Sequence, residues 1–129
     1  MIDMIEELKV GITNKLKKEV TADDTAIKLG SGTLQVFSTP MMVAMMECSA
    51  KDLVQPYLSE GHSTVGIALN IKHIAATKVG KKVWAVSKLI EIDRKRLVFE
   101  IEAFDEEKKI GEGTHERFIV DNEKFIAKL

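Results

Sequence analysis

The segment between the chain's two prolines, Pro40 and Pro56, reads MMVAMMECSAKDLVQ. Met and Ala favour helix, Pro40 suits a first helical position, and Ser38 or Thr39 stands where an N-cap belongs, so the pattern predicts a helix over 40–55. Its first three turns are apolar on nearly every side. Such a helix does not lie on a surface; other structure has to enclose it.

The enclosing material follows in the chain. From His62 onward the composition turns to strand formers with period two, and in TVGIALNIKHIA the side chains of Val65, Ile67, Leu69, Ile71 and His73 are expected on one face. KKVWAVSKLIEI and RLVFEIEAF flank a DRK turn, with Leu97, Phe99 and Ile101 alternating with Val98, Glu100 and Glu102. After a second turn in DEEKK, IGEGTHERFIV supplies a fourth long strand and DNEKFIAKL a short terminal helix. Upstream, a strand is expected within 11–20, then an acidic turn and a glycine-punctuated loop, with Met1 to Glu7 helical.

The order of strand, long apolar helix and four strands predicts an α+β fold in which a curved antiparallel sheet of about five strands wraps one central helix. At 129 residues, 45% of them apolar, the chain suits a single domain over 1–129. A sheet of this kind keeps open edges and commonly pairs with a copy of itself, so a homodimer, or a higher oligomer built on one, is expected.

Charge and cysteine content narrow the partners. Nineteen basic and twenty acidic side chains are interspersed, for a formal charge of -1, which disfavours nucleic acid. The single cysteine, Cys48, forbids an internal disulfide, and no stretch reads as a signal peptide or as the ~20 apolar residues of a membrane span, so a soluble cytoplasmic protein is expected. His62, His115 and Cys48 lack zinc-like spacing, and no metal or cofactor is assigned. The glycines of GSG at 30–32 and GEG at 111–113 lack the lysine and helix of a phosphate loop and read as turn or bulge glycines.

Within the methionine-rich helix stands one carboxylate, Glu47, after a run from Phe37 to Met46 with no charge at all. Met45, Met46, Cys48 and Ala50 leave it little polar surface to share, and a charge in such surroundings needs a partner or a task. His73 closes an otherwise apolar strand face, where a core histidine is the ordinary reading, although its imidazole titrates near pH 6.5 and suits proton handling. Thr39 is what capping alone would select. Eight helical positions separate it from Glu47, roughly 12 Å along the axis, so the two do not touch across a regular helix. The substrate lies between them, the helix starts later, or a second subunit supplies one of the two.

STPMMVAMMECSA, HSTVGIALNIKHIAATKVGKKV and GEGTHERFIVD together resemble the hotdog-fold thioesterases related to fluoroacetyl-CoA thioesterase, over roughly residues 10 to 125. The resemblance implies an acyl-CoA thioester hydrolase with Thr39, Glu47 and His73 as catalytic residues, and Gly66 and Arg117 lining the acyl-CoA site. In that reading Gly66 offers a backbone N–H to the thioester oxygen, and Arg117 grips an acidic group of CoA or else pairs at the surface with Glu116 or Glu112. The fluoroacetyl-specific enzymes place aromatic side chains upstream of the threonine, whereas LGSGTL has none before Phe37, so a small or medium acyl group is expected instead. A non-catalytic acyl-CoA-binding protein on the same fold is the alternative, and a hydratase a third.

Overall fold

The computed structural model describes residues 7–129, so the helix expected over Met1 to Glu7 lies, except for Glu7, outside the described residues. Strand β1 (Thr13–Glu19) leads through a single 3-10 turn (Ala22–Asp24) and the short helix α1 (Ala26–Leu29) to the central helix α2 (Thr39–Val54). After a second 3-10 turn (Gln55–Tyr57) come β2 (His62–His73), β3 (Lys82–Asp93), β4 (Arg96–Asp105), β5 (Lys109–Asp121) and the terminal helix α3 (Asn122–Ala127). The strands form one antiparallel sheet in the order β1-β3-β4-β5-β2, which leaves β1 and β2 at its edges. Among the described residues no helix is long and apolar enough to cross a membrane.

Local chemistry sets these limits. Ser38 caps α2 by accepting from the Met41 N–H at 3.2 Å, Pro40 occupies the first turn, and Pro56 stops the helix in a 3-10 turn. Gly30 ends α1 in the left-handed region at φ 77, a short helix that replaces part of the glycine loop expected there. Asp105 accepts from the N–H groups of Glu107 and Lys108, at 2.8 and 2.9 Å, and so closes the turn between β4 and β5. It also accepts from the Thr77 hydroxyl at 2.8 Å, which ties the loop after β2 to that turn.

The core lies between α2 and the concave sheet face. Met42, Met45, Met46, Ala50, Leu53 and Val54 of the helix meet Val83, Ala85 and Leu89 of β3 and Leu97, Phe99, Ile101 and Ala103 of β4, all of them buried. On β4 Leu97, Phe99 and Ile101 are buried and Glu100 exposed, as expected from sequence, whereas Val98 between them is buried as well and Glu102 is half-buried. The helix is enclosed on one side only: Ala44 is exposed, and Val43, Glu47, Cys48 and Lys51 are only partly covered. Apolarity around its circumference therefore exceeds what this chain buries.

Strand β2 departs from strict period two. A bulge falls between Gly66 and Ala68, so Gly66 pairs with Arg117 while Leu69 pairs with His115. The extra residue, Ile67, flips the alternation, and Thr64 and Gly66 share the helix-facing side with Leu69, Ile71 and His73 in place of Val65. The GEG glycines are not turn residues either. Both sit inside β5 opposite β2, and a side chain at Gly111 would stand 2.6 Å from the Met42 sulfur, so glycine there lets the helix seat.

Candidate active site

Two polar groupings lie along α2 where it crosses β2 and β5. At the helix start, Ser38 does the capping, and the Thr39 hydroxyl is left to meet the Nδ1 of His73 at 2.8 Å. His73 comes from the end of β2; its ring sits edge-on to Phe37 at 6.5 Å between centroids, and Nε2 is buried with no partner at hydrogen-bond geometry among the described residues. Burial pushes this imidazole below its ordinary pKa, with the Ala75 backbone pulling the other way. Whichever way the Thr39–His73 proton lies, the pair keeps one donor in hand: the hydroxyl proton when Nδ1 donates, Nε2–H when Nδ1 accepts. Beside it opens a pocket of about 400 Å³ lined by Val36, Phe37, Thr39, His73, Ile74 and Ala75 among others.

Two turns further on, Glu47 faces β5. Its carboxylate Oε2 lies 3.8 Å from Nη1 of Arg117 and 3.9 Å from Nε2 of His115, near enough for charge compensation and too far for a hydrogen bond. The Glu47 side chain is 37% exposed, while His115 is fully buried. Arg117 is buried too, and it is anchored: Nε donates to the Thr64 hydroxyl at 2.7 Å, Nη2 to the Thr64 carbonyl at 2.9 Å, and Nη1 points at His115 Nε2, 3.1 Å away. Burial lowers the Arg117 pKa from its ordinary value, and the charge of Glu47 opposes that.

Gly66 makes this approach possible. A Cβ there would come within 2.9 Å of Glu47 Oε2, 3.2 Å of the His115 ring and 3.4 Å of Arg117 Nη1. Only a residue without a side chain lets the carboxylate lie against the strand.

The chain thus brings Thr39 to His73, and Glu47 to Gly66 and Arg117, as two separate groups. The imidazole beside Glu47 is that of His115, not His73. Arg117 forms neither surface pair considered for it, since Glu116 bonds Arg96 and Glu112 bonds Lys109. From the sequence His115 is weighed only as a metal ligand, and Thr64 is not singled out. The signal was present in β5, where Gly111, Gly113, His115, Arg117 and Ile119 occupy alternate positions: a strand that places histidine and arginine on the helix-facing side is furnishing a site, not a surface.

A five-stranded antiparallel sheet curled on one long helix, with polar side chains gathered where the helix crosses the sheet edge, is the hotdog architecture as thioesterases use it. The same fold recurs in a solved thioesterase superfamily member from Thermus thermophilus, 26% identical with a TM-score of 0.86 over 93% of this chain and 89% of that one. The chain belongs to the fluoroacetyl-CoA-specific thioesterase (FlK) family, whose model matches residues 20–123. The fluoroacetyl-CoA thioesterase of Streptantibioticus cattleyicolor is 38% identical over 95 residues, 74% of this chain and 68% of that protein. A solved structure of the fluoroacetyl-CoA thioesterase FlK superposes with a TM-score of 0.90 at 32% identity, covering 94% of each chain.

Proposed function

We propose that this protein hydrolyses acyl-CoA thioesters carrying a small or medium acyl group, with Glu47 as the acting carboxylate. The observation that carries the reading is the state of that carboxylate: half-sheltered against Gly66, charge-compensated by Arg117, and bonded by neither Arg117 nor His115, so its lone pairs stay available. As a nucleophile it would attack the thioester carbonyl carbon, break the C–S bond and release the CoA thiolate, leaving a mixed anhydride for water to hydrolyse; as a general base it would take the proton of an attacking water instead. Thr39 and His73 supply the donor that holds the carbonyl or the water. The bulge after Gly66 leaves its extra residue out of the ladder, which supports a strand N–H turned toward the developing oxyanion.

Arg117 serves the carboxylate in this reading, because a buried guanidinium already anchored on Thr64 and His115 has no reach toward a solvent-exposed CoA phosphate. The open pocket beside Thr39, walled by Val36, Phe37, Ile74 and Ala75, supports an apolar acyl group of modest size.

The separation of the two groups along α2 supports a site shared across a homodimer. Edge strand β2 exposes Ile67 at 51% and Leu69 at 48%, next to the uncovered stripe of α2; in this reading a second copy laid there would cover both and bring its own Thr39–His73 pair toward this Glu47. Thiol release measured over acyl-CoA substrates of graded chain length tests the function. CoA release from short and medium members is expected; tight binding with no release from any member would favour the non-catalytic alternative.

A further inference from the structure

We propose that His115, in its neutral Nδ1–H form, is a positioning residue that holds the Arg117 guanidinium back from Glu47 and so keeps the carboxylate charged but unbonded. This rests on Glu47 being the acting group.

The hydrogen bonds around the imidazole leave one arrangement. Its Nδ1 lies 2.8 Å from the Ala68 carbonyl oxygen, which can only accept, so Nδ1 carries the proton. On the other side, Arg117 Nη1 can only donate, so at 3.1 Å from it Nε2 presents a lone pair. An imidazole with a proton on both nitrogens would set an N–H against an N–H there. Burial lowers the His115 pKa foremost; the Ala68 carbonyl pulls it up, the Arg117 charge down again, and Glu47 on the helix and Glu116 on the strand pull it up, with a net lowering, the same direction as the hydrogen bonds require.

Past the bulge in β2 Ala68 pairs with Glu116, next to His115, and its carbonyl meets the His115 ring from there. Thr64 takes two N–H directions of Arg117 and His115 takes a third on Nη1. An arginine free to choose would close on a neighbouring carboxylate in a paired, two-bond contact at about 2.7–2.9 Å. Here the Nη1 to Oε2 distance is 3.8 Å. His115 takes one of the two hydrogens on Nη1 and so helps to fix where that nitrogen sits, 3.8 Å from Glu47, and Nε2, having no proton of its own, cannot bond Glu47 in its place.

Glutamine and asparagine separate the two faces of the ring. A glutamine carries its amide as far as Nε2 and can offer Arg117 an oxygen; an asparagine reaches only to Nδ1 and can satisfy the Ala68 carbonyl alone. With a thioester substrate, His115→Asn is expected to lower kcat at least about tenfold with little change in KM, as Arg117 closes on Glu47, and His115→Gln to recover most of that loss. Equal impairment of the two variants, or a loss confined to KM, would overturn the proposal. Imidazole nitrogen NMR shifts of the unaltered protein give a second readout that needs no variant to fold and no substrate. A neutral Nδ1–H ring near pH 6.5 supports the assignment, and an imidazolium or an Nε2–H ring there refutes it. If Glu47→Gln kept its turnover, the hydrolytic reading would fall while the NMR result still decided the state of His115.

Discussion

Adjacent hydroxyls at the start of α2 divide their work. Ser38 accepts from the Met41 N–H, and Thr39 meets His73, so capping and chemistry sit on different residues although either was eligible to cap. Ser38→Ala should lower stability by about 0.5–2 kcal/mol in chemical denaturation while thioester turnover per folded molecule persists. Thr39→Val should do the reverse, with a small stability change and a clear loss of kcat. At Gly66, alanine would bring a methyl to 2.9 Å from the Glu47 carboxylate, which is partly exposed and can swing away, and to 3.2 Å from the buried His115 ring, which must shift slightly, so activity should fall steeply with a smaller drop in the thermal midpoint. Glu47 stood out in the sequence because a lone charge in a methionine run is conspicuous. His115 did not, because one buried histidine in a strand looks like any other until its partners on two strands are known.

At the level of elements, α2 and the four long strands were legible from apolar patterning, since α2, β3, β4 and β5 each bury one face and the pattern has to repeat, while β2 carries the alternation with little burial. Met46, fully buried in α2, tests that packing: Met46→Ala should cost about 2–5 kcal/mol in denaturant unfolding. What the pattern concealed was the bulge in β2. One inserted residue moves Val65 off the helix-facing side and brings Thr64 there, and no period-two reading detects it because TVGIALNI alternates plausibly in either register. Short α1 was hidden for a different reason: four residues bury nothing and leave no periodicity.

For the molecule as a whole, the loops and turns at the β4–β5 end depend on a single ionised acid. Asp105 loses hydration by burial, yet bonds from Lys108, the Glu107 and Lys108 N–H groups and Thr77 outweigh that and bring it from 3.8 to about 2. A lowered folded pKa means that its contribution is fully present above about pH 3.8 and is lost as pH falls toward about 2. Asp105→Asn should therefore be less stable than the parent at neutral pH, with the gap in melting temperature closing on acidification through that window. At the assembly scale the sequence offered only an expectation of a paired copy, because an apolar helix face and an apolar sheet edge carry no information on the geometry of whatever would pack on them. Thioester hydrolysis at this site turns on Glu47, and the most direct measurement is kcat for CoA release by Glu47→Gln, which preserves shape and removes the charge. A fall of about 10²-fold or more, with the fold intact by circular dichroism, is the predicted result; turnover within a few-fold of the parent would contradict it.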